Sequence, residues 1–122
     1  MGYNIMKRAE VFFKDKLVCE ADVANGFFSR LRGLMWKSPI ERGLLLMPCS
    51  DIHTFCMKER IDVVFLSEEG KVLRFIEAME KNKMSGMVKG AKNVLELPAN
   101  TFLNSGANVG DELRFEWKGA KR

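Results

Sequence analysis

The residues best able to do chemistry lie in one stretch, from Cys49 to Leu66. It contains the only histidine of the chain, His53, and a carboxylate, Asp62, each set among apolar neighbours. Burying an imidazole or a carboxylate is costly unless the group is hydrogen-bonded or paired. Such residues therefore stabilise a fold or build a site. If His53 and Asp62 approach each other, they could act as an acid/base pair.

Strand periodicity predicts which of these side chains share a face. In a strand predicted over residues 61–66, Asp62 lies on one apolar face. In a strand predicted over residues 52–57, His53 and Thr54 point to opposite faces. The structural alternatives are that Asp62 accepts backbone N–H bonds or pairs with an arginine, and that His53 is a hydrogen-bonded core residue. The sequence alone leaves these alternatives open.

Charged partners could come from an amphipathic helix predicted over Asn25–Trp36. Asn25 is a suitable N-cap, and Pro39 closes the segment. Arg30 and Arg32 fall on opposite rims of the apolar stripe, so their guanidinium groups could reach a carboxylate or an anionic ligand. The alternative is a pair of solvated helix flanks. The stripe itself consists of Phe27, Phe28, Leu31, Leu34 and Met35.

Metal and thiol chemistry are poorly supported by the spacing of the soft ligands. Cys49, His53 and Cys56 form a C-x3-H-x2-C pattern, which is not a standard zinc spacing, and a fourth ligand is absent nearby. A buried cysteine usually behaves as a small hydrophobe rather than a nucleophile. The chain also has no Gly-rich phosphate loop or nucleophile elbow. We therefore expect no metal and no cofactor.

The rest of the chain predicts short strands separated by turns, without a βαβ rhythm. The expected fold is mainly β, an antiparallel β-sandwich or barrel with one amphipathic helix and one short helix, and α+β is the alternative. A long loop over residues 79–90 is predicted to be mobile and able to act as a flap. The remaining predicted strands cover residues 9–13, 17–20, 44–47, 71–78, 93–97 and 111–117, and the short helix covers residues 98–105.

Composition limits the functional classes. With 122 residues, 47% hydrophobic and 30% charged, the chain is expected to fold as one domain over residues 1–122. Its net charge of +4 is scattered, which argues against nucleic-acid binding. No apolar run is long enough to span a membrane. Three cysteines are too few for a disulfide framework, which favours a cytoplasmic location. The oligomeric state is left open.

Several short sequence blocks follow one another along the chain. They are R-L-R-G-L-M from Arg30, G-L-L-L-M-P-C from Gly43, I-H-T-F from Ile52, I-D-V-V-F-L from Ile61, G-A from Gly90 with V-L-E-L from Val94, and G-D from Gly110. In this order the blocks resemble the prokaryotic family called domain of unknown function 192. The resemblance covers roughly residues 9 to 117 and implies a small, β-rich single domain with no established activity. Cys56 looks like a departure from the family pattern. The positions implied to be shared are Arg30, Arg32, Gly33, Met35, His53, Thr54, Met57 and Asp62.

These observations favour a non-enzymatic binding domain with a polar pocket around His53 and Asp62. Its ligand would be a small polar or anionic molecule. The first alternative is an enzyme in which His53 and Asp62 act as acid and base while Arg30 or Arg32 stabilises negative charge. The second is a protein-interaction domain that uses an exposed strand edge. The ligand-binding residues predicted for the pocket are Arg30, Arg32, His53, Thr54, Met57 and Asp62.

Overall fold

A computed structural model describes residues 7–118 of the chain. Seven strands and two short helices make up this part of the protein. In chain order the elements are β1 (Arg8–Phe13), β2 (Lys16–Ala24), α1 (Phe27–Arg32), β3 (Gly43–Leu46), β4 (Ile61–Leu66), β5 (Val72–Met79), β6 (Asn93–Pro98), α2 (Thr101–Ser105) and β7 (Arg114–Lys118). Within this range, neither helix has the length and apolar character that crossing a lipid bilayer requires.

All seven strands belong to one sheet, in the order β5-β4-β6-β3-β2-β1-β7. The prediction of a mainly β fold with two helices is therefore confirmed. The sheet is mixed rather than antiparallel, because the connection through α1 returns the chain so that β3 runs parallel to β2. The predicted barrel closure is wrong, because the two edge strands of the sheet, β5 and β7, do not pair with each other. Among the described residues, only an isolated bridge from Lys71 to Glu112 joins the two edges. They also supply no second sheet for a sandwich.

The central strands β3, β4 and β6 carry apolar side chains on both faces. Alternation along each strand sends these side chains into two separate clusters. We call the two sides of the sheet the α1 face and the α2 face, after the helix on each side. The α1 face includes Leu44, Leu46, Ile61, Val63, Phe65 and Val94. The α2 face includes Leu45, Val64, Leu66, Leu95, Leu97 and Phe102.

Helix α1 is shorter than predicted and buries little of its apolar stripe. Gly26, not Asn25, is the N-cap, and its N–H donates to the Ser29 hydroxyl at 3.1 Å. The helix ends at Gly33, whose φ of 53° turns the chain away before the stripe can continue. Leu34 is the one buried residue of that stripe, whereas Phe27, Phe28 and Leu31 are 66%, 77% and 54% exposed.

The segment predicted as a strand over residues 52–57 is irregular. Its one ladder contact is an isolated bridge between His53 and Met84. The 79–90 loop supplies its hydrogen-bond partners, because the Ser85 N–H donates to the Ile52 carbonyl at 2.9 Å. This loop is therefore fastened along the segment and is not the free flap that the sequence predicted. Alternation does not hold without a strand, so His53 and Thr54 are placed by these contacts.

Asp62 lies on the α2 face and holds backbone groups of two other elements. It is fully buried, and its carboxylate accepts hydrogen bonds from the Ala78 N–H at 2.9 Å and the Phe102 N–H at 3.1 Å. The first bond stabilises a bulge in β5, where Ala78 has a φ of 42°. The second satisfies a free N–H in the first turn of α2. Of the two alternatives left open by the sequence, backbone hydrogen bonding is the one observed.

Replacing Asp62 should destabilise the protein strongly. Asp62→Ala leaves two amide groups without their acceptor, so we expect the free energy of unfolding to fall by about 3 kcal/mol. Asp62→Asn retains one acceptor oxygen and should lose less. Urea unfolding measures both changes, with Asp15→Ala in the exposed β1–β2 turn as the matched control. Equal unfolding midpoints for Asp62→Ala and the control would contradict this role.

Candidate functional site

A cleft of about 620 Å³ opens on the α1 face, between helix α1 and the segment over residues 48–53. We call it the α1 cleft. Arg30, Arg32, His53 and Met57 line it, so the structure brings together four of the six residues predicted to bind a ligand. Of the other two, Asp62 is on the opposite face of the sheet, and Thr54 lies outside the cleft lining. The volume is in the range of small-molecule sites.

Glu96 is the most unusual group in the cleft. It sits in the middle of β6, where its cross-strand neighbours are Leu44 on β3 and Val63 on β4. The residue is only 3% exposed, and its Oε1 has no hydrogen-bond partner among the described residues. A carboxyl group in these surroundings is hard to ionise. Burial accordingly raises the pKa of Glu96 from 4.5 to about 8, so it is mostly a neutral carboxylic acid at pH 7.

Gly33 lets the end of α1 approach this carboxyl closely. A Cβ atom on Gly33 would lie 3.2 Å from Oε1 of Glu96. Its backbone angles, φ 53° and ψ −127°, are also strained for any residue with a side chain. Glycine therefore serves two purposes at this position. It ends the helix, and it leaves space beside the carboxyl of Glu96.

His53 is fully hydrogen-bonded through both ring nitrogens. Its Nε2 lies 3.2 Å from the Leu31 carbonyl, and its Nδ1 accepts the Phe55 N–H at 3.1 Å. Both contacts are satisfied together by the neutral tautomer that is protonated on Nε2. The imidazole thus ties the last turn of α1 to the 53–55 turn. It has no free lone pair in this arrangement, and Asp62 is on the other face, so the predicted acid/base pair is wrong.

Thr54 and Met57 support the cleft in different ways. The Thr54 hydroxyl donates to the Glu80 carbonyl at 2.6 Å and accepts the Lys83 N–H at 2.9 Å, which fastens the 79–90 loop. Thr54 therefore holds this loop in place from outside the cleft lining. Met57 is 7% exposed and contributes apolar surface to the wall.

Basic side chains surround the mouth of the cleft. Arg30, Arg32 and Lys92 line it, and within residues 7–118 none of them forms an ion pair with a carboxylate. The Arg30 guanidinium makes one long hydrogen bond, 3.4 Å, to the Asn25 carbonyl. Asp51 is the acidic residue of the lining besides Glu96, and it is exposed. The rim therefore presents more positive than negative charge.

Cys49 also lines the cleft and is held as a thiol. Its Sγ donates to the Asp51 carbonyl at 3.0 Å. Burial raises the pKa of this thiol above its ordinary value. Cys56 is exposed and lies outside the cleft lining. Across the described part of the chain, no three His, Cys, Asp or Glu side chains are grouped closely enough to hold a metal ion.

Glu96 was missed at the sequence level although the pattern contained a signal for it. It interrupts the apolar run of β6 just as Asp62 interrupts that of β4. The same rule that marked Asp62 therefore marks Glu96. What the rule could not give is the surroundings of each carboxyl, since those are set by α1 and α2.

A profile of the family domain of unknown function 192, described as an uncharacterized ACR, matches residues 10–115. A UPF0127 protein from Thermococcus sibiricus is 31% identical over 100 residues, which are 77% of this chain and 64% of that protein. The chain thus spans less than two thirds of the length of this curated relative.

Two crystal structures resemble the fold, both with a TM-score of 0.75. One is a protein of unknown function from Novosphingobium aromaticivorans, 14% identical, with 89% of this chain and 84% of that chain covered. The other, from Sinorhizobium meliloti, is described as a candidate transcription regulator. It is 19% identical, with 94% of this chain and 98% of that chain covered. At these identities the likeness shows a shared fold.

The raised pKa of Glu96 should make stability fall with pH. The carboxyl is neutral when folded up to about pH 8 but ionises near 4.5 when unfolded, so unfolding releases a proton between these values. The stability it contributes is complete below pH 4.5, falls by about 1.4 kcal/mol per pH unit in between, and levels off above pH 8.

Glu96→Gln removes this titration while preserving the shape of the side chain. The difference in free energy of unfolding, wild type minus Glu96→Gln, should therefore decrease steadily from pH 5 to pH 8 in urea unfolding. Glu69→Gln, in the exposed β4–β5 turn, is the control and should track the wild type. Parallel pH curves for wild type and Glu96→Gln would show that Glu96 titrates normally.

Proposed function

The chain belongs to the family called domain of unknown function 192, and from that premise we propose that it is a non-enzymatic binding domain. Its ligand is a small polar or anionic molecule held in the α1 cleft. The observation that carries this proposal is the buried, unpartnered carboxyl of Glu96 in the wall of an open cleft. We propose Arg30, Arg32, His53, Met57 and Glu96 as the ligand-binding residues. His53 forms part of the cleft wall, because both of its ring nitrogens are already hydrogen-bonded.

An unsatisfied buried carboxyl lowers the stability of the free protein. Leaving one buried polar atom without a partner costs about 1–3 kcal/mol. A ligand that bonds the Glu96 carboxyl from the cleft recovers part of this free energy on binding, because the carboxyl is already desolvated. The free energy lost by burying Glu96 between Leu44 and Val63 in the free protein therefore strengthens the binding of such a ligand.

The basic rim complements a negatively charged ligand. Arg30 and Arg32 flank the cleft from α1, and Lys92 flanks it from the start of β6. Several positive charges around a concave site raise the local concentration of anions and speed their association. Arginine also bonds carboxylate or phosphate groups through two parallel N–H donors. These features support an anionic group in the ligand.

The enzyme alternative depends on His53 and Asp62 acting as a pair, but the two residues lie on opposite faces of the sheet. His53 has both nitrogens engaged, and Asp62 holds backbone groups on the α2 face. The cysteine of the cleft, Cys49, is held as a thiol. We therefore favour binding over catalysis.

The wider context of the protein is also a proposal. We propose that residues 9–117 act as one domain, supported by the continuous sheet that joins β1 to β7 at its edge. We propose a cytoplasmic location on the basis of the three free cysteines, Cys19, Cys49 and Cys56.

Anion binding can be tested by thermal shift with inorganic phosphate, sugar phosphates and small carboxylates as probes. At least one probe should stabilise the wild type, and the double variant Arg30→Ala/Arg32→Ala should bind it about tenfold more weakly because the charged contacts are lost. Arg60→Ala is the control, since Arg60 is exposed and pairs with Glu80 outside the cleft. A panel without any shift would refute anion binding by the arginines, and equal losses in both variants would show that the probe binds outside the α1 cleft.

A further inference from the structure

We propose that the α1 cleft takes an amino-acid-type zwitterion, with its ammonium group on the Glu96 carboxyl and its carboxylate on the arginines of α1. This inference rests on the proposed function and narrows it to one ligand class.

The ammonium end is required by the surroundings of Glu96. No described donor reaches Oε1, and the flanking positions on both neighbouring strands are apolar. The ionised carboxylate can only accept hydrogen bonds, so a ligand group that pairs with it must donate one. An ammonium provides three donors and a positive charge that stabilises the ionised carboxylate in a site sheltered from water.

The carboxylate end is required by the rim. A ligand with only a positive charge would be repelled by Arg30, Arg32 and Lys92, which all line the cleft. An α-amino acid carries a carboxylate next to its ammonium, so it meets both the rim and Glu96 with opposite charges. A purely anionic ligand would satisfy the rim and leave the Glu96 carboxyl without a charged donor.

Apolar surface lies between these two charged regions. Leu34, Leu46, Ile52, Met57 and Ala91 contribute to the wall of the cleft. The volume of about 620 Å³ exceeds what an ammonium and a carboxylate alone would fill. The structure therefore favours an amino acid with an apolar side chain.

Binding of an ammonium should release a proton. Around Glu96, the titratable and charged groups facing the cleft are Arg30 and Arg32 from α1, Cys49, Asp51 and His53 from the 48–53 segment, and Lys92 before β6. In the free protein the pKa of Glu96 is about 8, so about nine-tenths of the molecules carry its proton at pH 7. When the ammonium pairs with the carboxylate, this proton leaves to solvent.

Isothermal titration calorimetry at pH 7, in two buffers of different ionisation enthalpy, tests the inference. The probes are the twenty common L-amino acids and, for the tightest, its N-acetyl and carboxamide derivatives. We expect an apolar amino acid to bind with release of about 0.9 proton, and each derivative to bind about tenfold more weakly. Glu96→Gln should release no proton and bind about tenfold more weakly, whereas Glu69→Gln should match the wild type.

The outcomes separate this inference from the proposed function. If the N-acetyl derivative binds as tightly as the parent, or if no proton is released, the ammonium contact to Glu96 is wrong. If the carboxamide binds equally well, the carboxylate contact is wrong. If no amino acid binds while the anion panel does, the zwitterion is refuted and the binding domain remains. If neither panel binds, both proposals fail.

Discussion

Alternation of side chains along β4 and β6 separates the two buried carboxyls of the sheet. Asp62 pairs in register with Leu97, and Glu96 with Val63, so the carboxyls leave neighbouring strands in opposite directions. On the α2 face, Asp62 meets two N–H groups that need an acceptor. On the α1 face, Glu96 meets no donor among the described residues. The same residue chemistry therefore stabilises the fold on one face and provides a candidate binding group on the other.

The cleft exists because α1 is short and held at its end. Gly33 ends the helix beside Glu96, and the His53 imidazole fastens the carbonyl of Leu31 to the opposite wall. The next segment of the wall is held by the 79–90 loop through Thr54. Phe27 and Phe28 remain exposed as a consequence, since the helix does not continue far enough to lay its apolar stripe on the sheet. Hydrogen bonds on both sides therefore hold the walls of the cleft in place.

Local patterns in the sequence predicted those features of the fold that depend on residues close together in the chain. The apolar runs of β3 and β4 and the hairpin from β4 to β5 follow from period and turn chemistry, and the sequence singled out four residues that line the α1 cleft, Arg30, Arg32, His53 and Met57. The parallel pairing of β2 with β3 could not be predicted this way, because it depends on how the α1 connection packs. The irregular 52–57 segment takes its hydrogen bonds from a loop distant in sequence. The hydrogen-bond partners of Asp62 also come from elements distant in sequence. The apolar pattern could therefore mark Asp62 and Glu96 as buried carboxyls but could not show that, among the described residues, only Asp62 has partners.

The protonation state of Glu96 is the quantity on which this account depends most. It can be measured directly by following the ¹³C shift of the Glu96 side-chain carboxyl against pH by NMR, with Glu96→Gln to assign the signal. In the free protein the midpoint should lie near pH 8, because the group is buried without a partner. A midpoint near the ordinary value of 4.5 would show that the carboxyl is solvated or paired, and would rule out Glu96 as a buried, unpartnered binding group.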